Sequence, residues 1–271
     1  MRYFKALPKM RYRTAITWLT FLSLDAPLVA TIWQNAVSTS FSIQIDWHHR
    51  VLVFLSVWLG YSADRWFDAW RHKENISQRH RFFSRYRWPL LVIWTMTLVS
   101  SITLAFNSLN ATELALGTAL AISSIAITIV VQFIALHHFR ALVKSLLTAS
   151  LVTASVLLFV VPETANDQIS TAFLLIAVFT LNCSFIHNWD RGIDAIQEQL
   201  SIDPAQSKSL IAAFSIAVVV LTILYSSPLF PYALSSVFLL TVIHLLRNRL
   251  HSETRRTLAD LSLLTPLAIL F

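Results

Sequence analysis

Charge is scarce in this chain, and so are glycine and cysteine. Charged residues fill 13% of its 271 positions, against about 25% in an ordinary soluble domain. With 56% hydrophobic residues and a mean hydropathy of +0.62, a water-soluble fold would be left covered in apolar surface. The composition therefore indicates an integral membrane protein. The single cysteine, Cys183, excludes an internal disulfide framework; it lies in an apolar run and reads as a buried, inert thiol. Only three glycines occur, Gly60, Gly117 and Gly192. No low-complexity tract or long linker divides the chain, which reads as one domain, 1–271. Its apolar runs are about 15–24 residues long, which suits membrane helices and not the ~10-residue alternating strands of a barrel.

The segment "MRYFKALPKMRYR" is basic, like the start of a signal peptide. The apolar run behind it is long, contains Asp25 and lacks a clear small-x-small cleavage site, so it reads as a retained span. Nine candidate spans follow: 14–36, 50–70, 88–106, 113–136, 143–161, 170–189, 209–227, 231–246 and 257–271. The last contains Pro266, which a membrane helix tolerates when a neighbour satisfies the freed carbonyl. With the N-terminus in the cytoplasm, alternation through nine spans places 20 of the 21 Lys and Arg on the cytoplasmic side, Arg50 alone falling outside. So one-sided a distribution supports both the direction and the count. It also explains the net charge of +7 without nucleic acid, because the basic residues sit in short loops facing an anionic membrane surface. The expected location is a bacterial plasma membrane, with the C-terminus external.

Two of these runs end in the same charged pattern. "ADRWFDAW" (63–70) carries Asp64, Arg65 and Asp68; "WDRGIDAI" (189–196) carries Asp190, Arg191 and Asp194, at a constant offset of 126 residues. With nine Asp and sixteen Arg in the chain, Asp-Arg-x-x-Asp is expected by chance roughly 0.02 times, so two copies are not accidental. Acids four apart share one helical face and repel each other by about 0.2–0.5 kcal/mol. In this topology they also lie near helix C-termini, where the dipole disfavours them. Asp64 is only ~20 Å along the axis from Val51, still within the membrane thickness, where a carboxylate is costly. Arg65 and Arg191 can pair with these acids and merely anchor the helix ends. Alternatively, clustered oxygen ligands suit Mg²⁺ with a substrate phosphate, with Arg and Lys binding the same phosphates. A lipid diphosphate fits that chemistry, its head in the charged mouth and its tail among the helices.

At these residues the chain resembles the UbiA superfamily of intramembrane prenyltransferases, which have nine helices and aspartate-rich motifs on helices two and six. The first family motif typically reads Asn-Asp-x-x-Asp-Arg-x-x-Asp. "GYSADRWFD" keeps Asp64, Arg65 and Asp68 and has Gly60 and Tyr61 for the leading Asn and Asp. The second often contains Asp-Arg-Asp-x-Asp; "DRGID" keeps Asp190, Arg191 and Asp194 and replaces the middle Asp by Gly192. A further upstream Asp would fall near Cys183, beside Asn182. The resemblance implies an all-α bundle around a central cavity and transfer of an isoprenyl group from a Mg²⁺-bound isoprenyl diphosphate to a lipophilic acceptor. Asp64, Asp68, Asp190 and Asp194 would hold the metal, with Glu198 extending the second acidic face. Arg65, Arg191, Lys73 and Arg79 would contact the diphosphate, the last two in the basic loop "RHKENISQRHRFFSRYR".

Other readings stay open. A member that binds lipid diphosphate without turnover, or a cation-coupled transporter with acids on repeated helices, would show similar motifs. The CDP-alcohol phosphotransferases use a single Asp- and Gly-rich segment, which is missing here. Asp25 and Asp260, both in apolar runs, either line a cavity or pair to hold helices together. His187 reads as a packing residue, and the pairs His48–His49 and His137–His138 as interfacial. The nine tryptophans suit aromatic belts. Reporter fusions should place the N-terminus in the cytoplasm and the C-terminus outside; both ends on one side would overturn the nine-span topology.

Overall fold

A computed structural model describes residues 15–71, 78–133, 140–196, 211–213, 215, 216, 218, 220 and 227–270. All regular structure among them is helical. The helices are α1 (Ala15–Phe21), α2 (Asp25–Ser40), α3 (Trp47–Arg71), α4 (Gln78–Arg85), α5 (Arg87–Ser108), α6 (Ala111–Phe133), α7 (Arg140–Leu157), α8 (Ala165–Ile196), α9 (Phe230–Leu245) and α10 (Ser252–Leu261). A 3₁₀ segment, Ser262–Leu270, closes the series.

Among the described residues, three helical stretches are long and apolar enough to cross a membrane: Arg87–Ser108, Ala111–Val130 and Ala165–Trp189. They mark the chain as a membrane protein, and they play different parts. The stretch in α8 is mostly buried, whereas those in α5 and α6 present their apolar side chains outward. Trp88, Met96, Phe106, Ile122 and Ile125 are all more than 60% exposed, a surface that suits lipid and not water. Shorter apolar helices cover Val143–Leu157 and Phe230–Leu245. α3 is long enough to span, at 25 residues, but carries the first charged motif in its C-terminal third.

The expected first span, 14–36, is not one helix. It breaks at Ser23, which has φ 58°. Leu24 N–H donates to the Leu19 carbonyl and Ser23 N–H to that of Thr20, at 2.8 and 3.3 Å. This is a Schellman closure with serine in the left-handed position usually given to glycine. The same device ends α2, where Ser42 has φ 55°, Ile43 N–H donates to Ser38 at 2.8 Å and Ser42 N–H to Thr39 at 3.3 Å. The expected ninth span, 257–271, is also interrupted, passing from α10 into the 3₁₀ segment around Pro266. In a 3₁₀ helix the missing proline N–H leaves the carbonyl three residues back without its donor. That carbonyl belongs to Leu263, and the Trp33 indole N–H donates to it at 2.9 Å.

Trp33 is fully buried, edge-on to Phe179. Around it Val29, Val37, Val53, Val156, Leu174 and Val178 join α2, α3, α7 and α8 into the core, so the centre of the bundle is packed with side chains. α8 starts from a cap in which the Thr164 hydroxyl oxygen accepts the Asp167 N–H at 3.1 Å. α6 starts from a reciprocal box between Asn110 and Glu113, with bonds of 2.9 and 3.0 Å. The α2–α3 turn, the start of α6 and the α7–α8 connection meet at one end, where His49 lies 3.2 Å from Glu113 and its ring 4.5 Å from that of Phe159.

A left-handed L-residue costs roughly 1–2 kcal/mol. Ser42 is exposed, so Ser42→Gly should stabilise the protein by about 1 kcal/mol; unchanged or lowered thermal unfolding in detergent would contradict this account of the turn.

Candidate functional site

Asp64 and Arg65 are neighbours on α3, and successive helical residues point about 100° apart. The structure sends them to different places. Arg65 turns inward and is 4% exposed. Its guanidinium pairs with Asp25 at 3.3 Å, donates to the Thr20 carbonyl and lies over the Tyr61 ring, 4.9 Å from its centroid. The α1–α2 break makes this possible. Thr20 is in the last turn of α1, where carbonyls lack helical donors, and Asp25 is the first residue of α2. A cation at the first place and a carboxylate at the second are each favoured by the helix dipoles.

The network continues. The Asp260 side chain, on α10, lies beside that of Asp25, and the Asn182 amide, on α8, donates to Asp260 at 3.1 Å. The chain Arg65–Asp25–Asp260–Asn182 thus runs from α3 through α2 and α10 to α8, joining the two motif helices. Both readings open for Asp25 and Asp260 have a counterpart here, since the two stand together between helices and both also line a small cavity with Leu28 and Leu264. Tyr61, one turn earlier on α3, covers the arginine.

Asp64 faces the other way. Its carboxylate is 3.4 Å from the Lys144 ammonium on α7, at a cavity of about 120 Å³ between α3, α6 and α7. Three short stripes of small or polar residues converge there: Ser56, Gly60 and Asp64 on α3, Ser124 and Thr128 on α6, and Lys144, Thr148 and Ser155 on α7. Each stripe keeps to one helical face, at i, i+4, i+8 on α3, i, i+4 on α6 and i, i+4, i+11 on α7. Gly60 opens this wall, since a Cβ there would meet nothing within 4 Å. Tyr61, Val57, Ile127, Leu147, Leu151 and Val152 line the rest. The lining thus joins a charged pair, hydroxyls and apolar side chains within one space.

The other expected site residues are placed by backbone alone. Asp68 lies one turn beyond Asp64 on α3, and Asp190, Arg191 and Asp194 lie in the last turns of α8; their side chains fall outside the described residues. So does that of Arg79 on α4, and Lys73 and Glu198 lie outside the described residues altogether. Just before the second motif, the Trp189 indole donates to His244 Nδ1 at 3.0 Å, and Phe185 packs at a tilt against both rings. α7 packs against both α3 and α8. Lys144 was not singled out by the sequence reading, which counted it among loop cations. The signal was present in "KSLLTASLVTAS", where Lys144, Thr148, Leu151 and Ser155 share one face.

A polar-mouthed, apolar-walled cavity beside an acidic helix face can take an amphiphile with an anionic head. Oxygen donors there, Asp64 with neighbouring hydroxyls, are of the hard type that Mg²⁺ takes. No protein-family model, curated protein or solved structure matches the chain.

The two ion pairs should separate in stability. Breaking the buried one, by Arg65→Met, should cost ~3–5 kcal/mol because Asp25 and Asp260 lose their cation. Breaking the partly exposed one, by Asp64→Asn, should cost no more than ~1 kcal/mol. Equal thermal shifts for the two variants would contradict the division.

Proposed function

We propose that this protein is a divergent intramembrane prenyltransferase of the UbiA type, with nine spans, a cytoplasmic N-terminus and an external C-terminus. It would move an isoprenyl group from an isoprenyl diphosphate to a lipophilic acceptor. The observation that carries the reading is the Asp64–Lys144 pair at a cavity whose remaining walls are hydroxyl and hydrocarbon. A diphosphate ester needs both kinds of wall. Lys144 suits its phosphate oxygens, and the apolar side chains of α6 and α7 suit its tail.

In this proposal Asp64 and Asp68, with Asp190 and Asp194 of the second motif, hold Mg²⁺. When bound, the ion would neutralise the diphosphate and make it a better leaving group. Arg191, Lys73 and Arg79 would add charge around the same head group, by analogy with the family. Arg65 acts differently here, through Asp25 and the Thr20 carbonyl, by fixing the rotation of α3 so that Asp64 faces the cavity. The isoprenyl C–O bond breaks, the acceptor bonds to the isoprenyl carbon and loses a proton, and pyrophosphate leaves. Exclusion of water by the apolar lining protects the electron-deficient carbon while the bond changes hands.

Gly60 and Tyr61 favour a second reading, because they replace two polar residues of the first family motif and Tyr61 packs over Arg65. The chain would then hold a lipid diphosphate without transferring it.

Purified protein with Mg²⁺, isoprenyl diphosphates of graded length and aromatic acceptors should release pyrophosphate. Asp64→Asn and Asp190→Asn should each lower the rate at least 100-fold, and Lys144→Ala should mainly weaken donor binding. Mg²⁺-dependent binding without release supports the second reading. No binding by folded protein at any chain length would remove both.

A further inference from the structure

The histidine pair at the opposite end of α3 is more than an interfacial ornament. His48 and His49 occupy the first turn of α3, and Asp46 directly precedes the helix. One ligand atom from each of the three lies within 4.8 Å of the others. Within this group His48 Nε2 lies 3.9 Å from an Asp46 carboxylate oxygen. Glu113, on α6, stands beside this group: its Oε1 is 3.2 Å from His49 Nε2, and it is not one of the three whose ligand atoms all lie within 4.8 Å of one another.

That last contact has an unusual character. Both ring nitrogens of His49 are buried, yet neither makes a hydrogen bond, although a carboxylate oxygen stands at hydrogen-bond distance from one of them. The oxygen lies off the direction in which the ring would donate. Two lone-pair donors side by side, without a proton aligned between them, are arranged as ligands around a common cation. Around a tetrahedral ion with bonds of ~2.0–2.1 Å, neighbouring ligand atoms lie about 3.3–3.5 Å apart; 3.2 and 3.9 Å fall on either side of this.

Glu113 is also held for the task. Its Oε2 accepts the Asn110 N–H at 3.0 Å, while Asn110 Oδ1 accepts the Glu113 N–H at 2.9 Å. The cap uses one carboxylate oxygen and turns the other toward His49. The Phe159 ring packs against His49 and fixes the imidazole plane. Asp46 is mostly exposed and free to swing onto an ion.

We infer that Asp46, His48 and His49 form a site for a divalent first-row transition metal of the Zn²⁺ type, with Glu113, beside His49, supplying a further oxygen once an ion draws the group together. Two imidazoles and two carboxylates suit such an ion and not Mg²⁺, which prefers all-oxygen ligands. The site is ~22 Å along α3 from Asp64, at 1.5 Å per residue, and is independent of the proposed Mg²⁺ centre. A bound ion would tie the α2–α3 turn to the α5–α6 hairpin and stiffen the end of the bundle where these connections meet.

The test uses full-length protein in detergent, stripped with EDTA and titrated with Zn²⁺ in the presence of excess Mg²⁺. Wild type should bind one equivalent more than a His48→Ala/His49→Ala variant, and Zn²⁺ should raise the unfolding temperature of wild type only. Glu113→Gln should weaken that equivalent at least tenfold, on the scale of ~10–100-fold seen for groups supporting a metal site. Unfolding temperatures in EDTA establish that the variants are folded. Equal Zn²⁺ stoichiometry in wild type and the double-histidine variant would overturn the inference, as would a Zn²⁺ shift in unfolding that the double variant retains. If the histidine variant unfolds early in EDTA, Asp46→Asn/Glu113→Gln takes its place, with the same criterion.

Discussion

The arrangement of α3 depends on where one guanidinium goes. Arg65 is buried beside a helix break, and burying an arginine is costly unless its donors and charge are met. Here the Asp25 carboxylate, the Thr20 carbonyl and the Tyr61 ring meet them together. Neither the carbonyl nor the carboxylate would be in place if 14–36 were a continuous helix. The break at Ser23 exposes the last carbonyls of α1 and begins α2 on Asp25, so a local backbone conformation creates the receptor for a side chain 40 residues away. Arg65 then fixes the rotation of α3, and that rotation turns Asp64 toward α7. Scaffold and candidate site are two faces of the same dipeptide.

Much of this architecture was legible in the sequence. The long apolar runs that became α5, α6 and α8 needed only length and composition, because a helix surrounded by lipid has few alternatives. The carbonyl freed by Pro266 was anticipated, though its partner, Trp33, lies 230 residues away and no local rule names it. The break at Ser23 was invisible. Serine carries no strong signal for the left-handed conformation, and a chain with three glycines has few of the usual markers. The direction of Arg65 was also beyond reach. Its spacing offered Asp64 and Asp68 as local partners, and the tertiary fold added Asp25. Lys144 was missed for a different reason: it was counted for topology, and its place on a polar stripe was not read.

The division between the two ion pairs has a physical basis in helix polarity. Asp25 begins α2 and Thr20 lies in the last turn of α1, so the buried pair is helped by both helix ends. The pair at the cavity has no such help. Asp64 lies in the C-terminal half of α3, with Asp68 closer still to its negative end, and Lys144 lies near the positive end of α7. Dipole effects fade within a turn, so the penalty at Asp64 and Lys144 is small, but its sign is wrong for both. Repulsion between Asp64 and Asp68 at i, i+4 adds to it.

A pair that stabilises a fold has no reason to sit against both helix polarities, half exposed, in a wall of hydroxyls with an open space at Gly60. Local features that conflict with the fold tend to mark function. By that criterion Arg65–Asp25 belongs to the scaffold, and Asp64–Lys144 is the pair on which the proposed site would rest. The anchors of α8 fit the same scheme. Asn182 is tied to Asp260 and Trp189 to His244, which fixes α8 up to the residue before Asp190. Each motif helix is therefore braced by polar contacts at or just before its acids. Acids held this way cannot relieve their mutual repulsion by turning the helix; a cation brought by a ligand relieves it without moving the backbone.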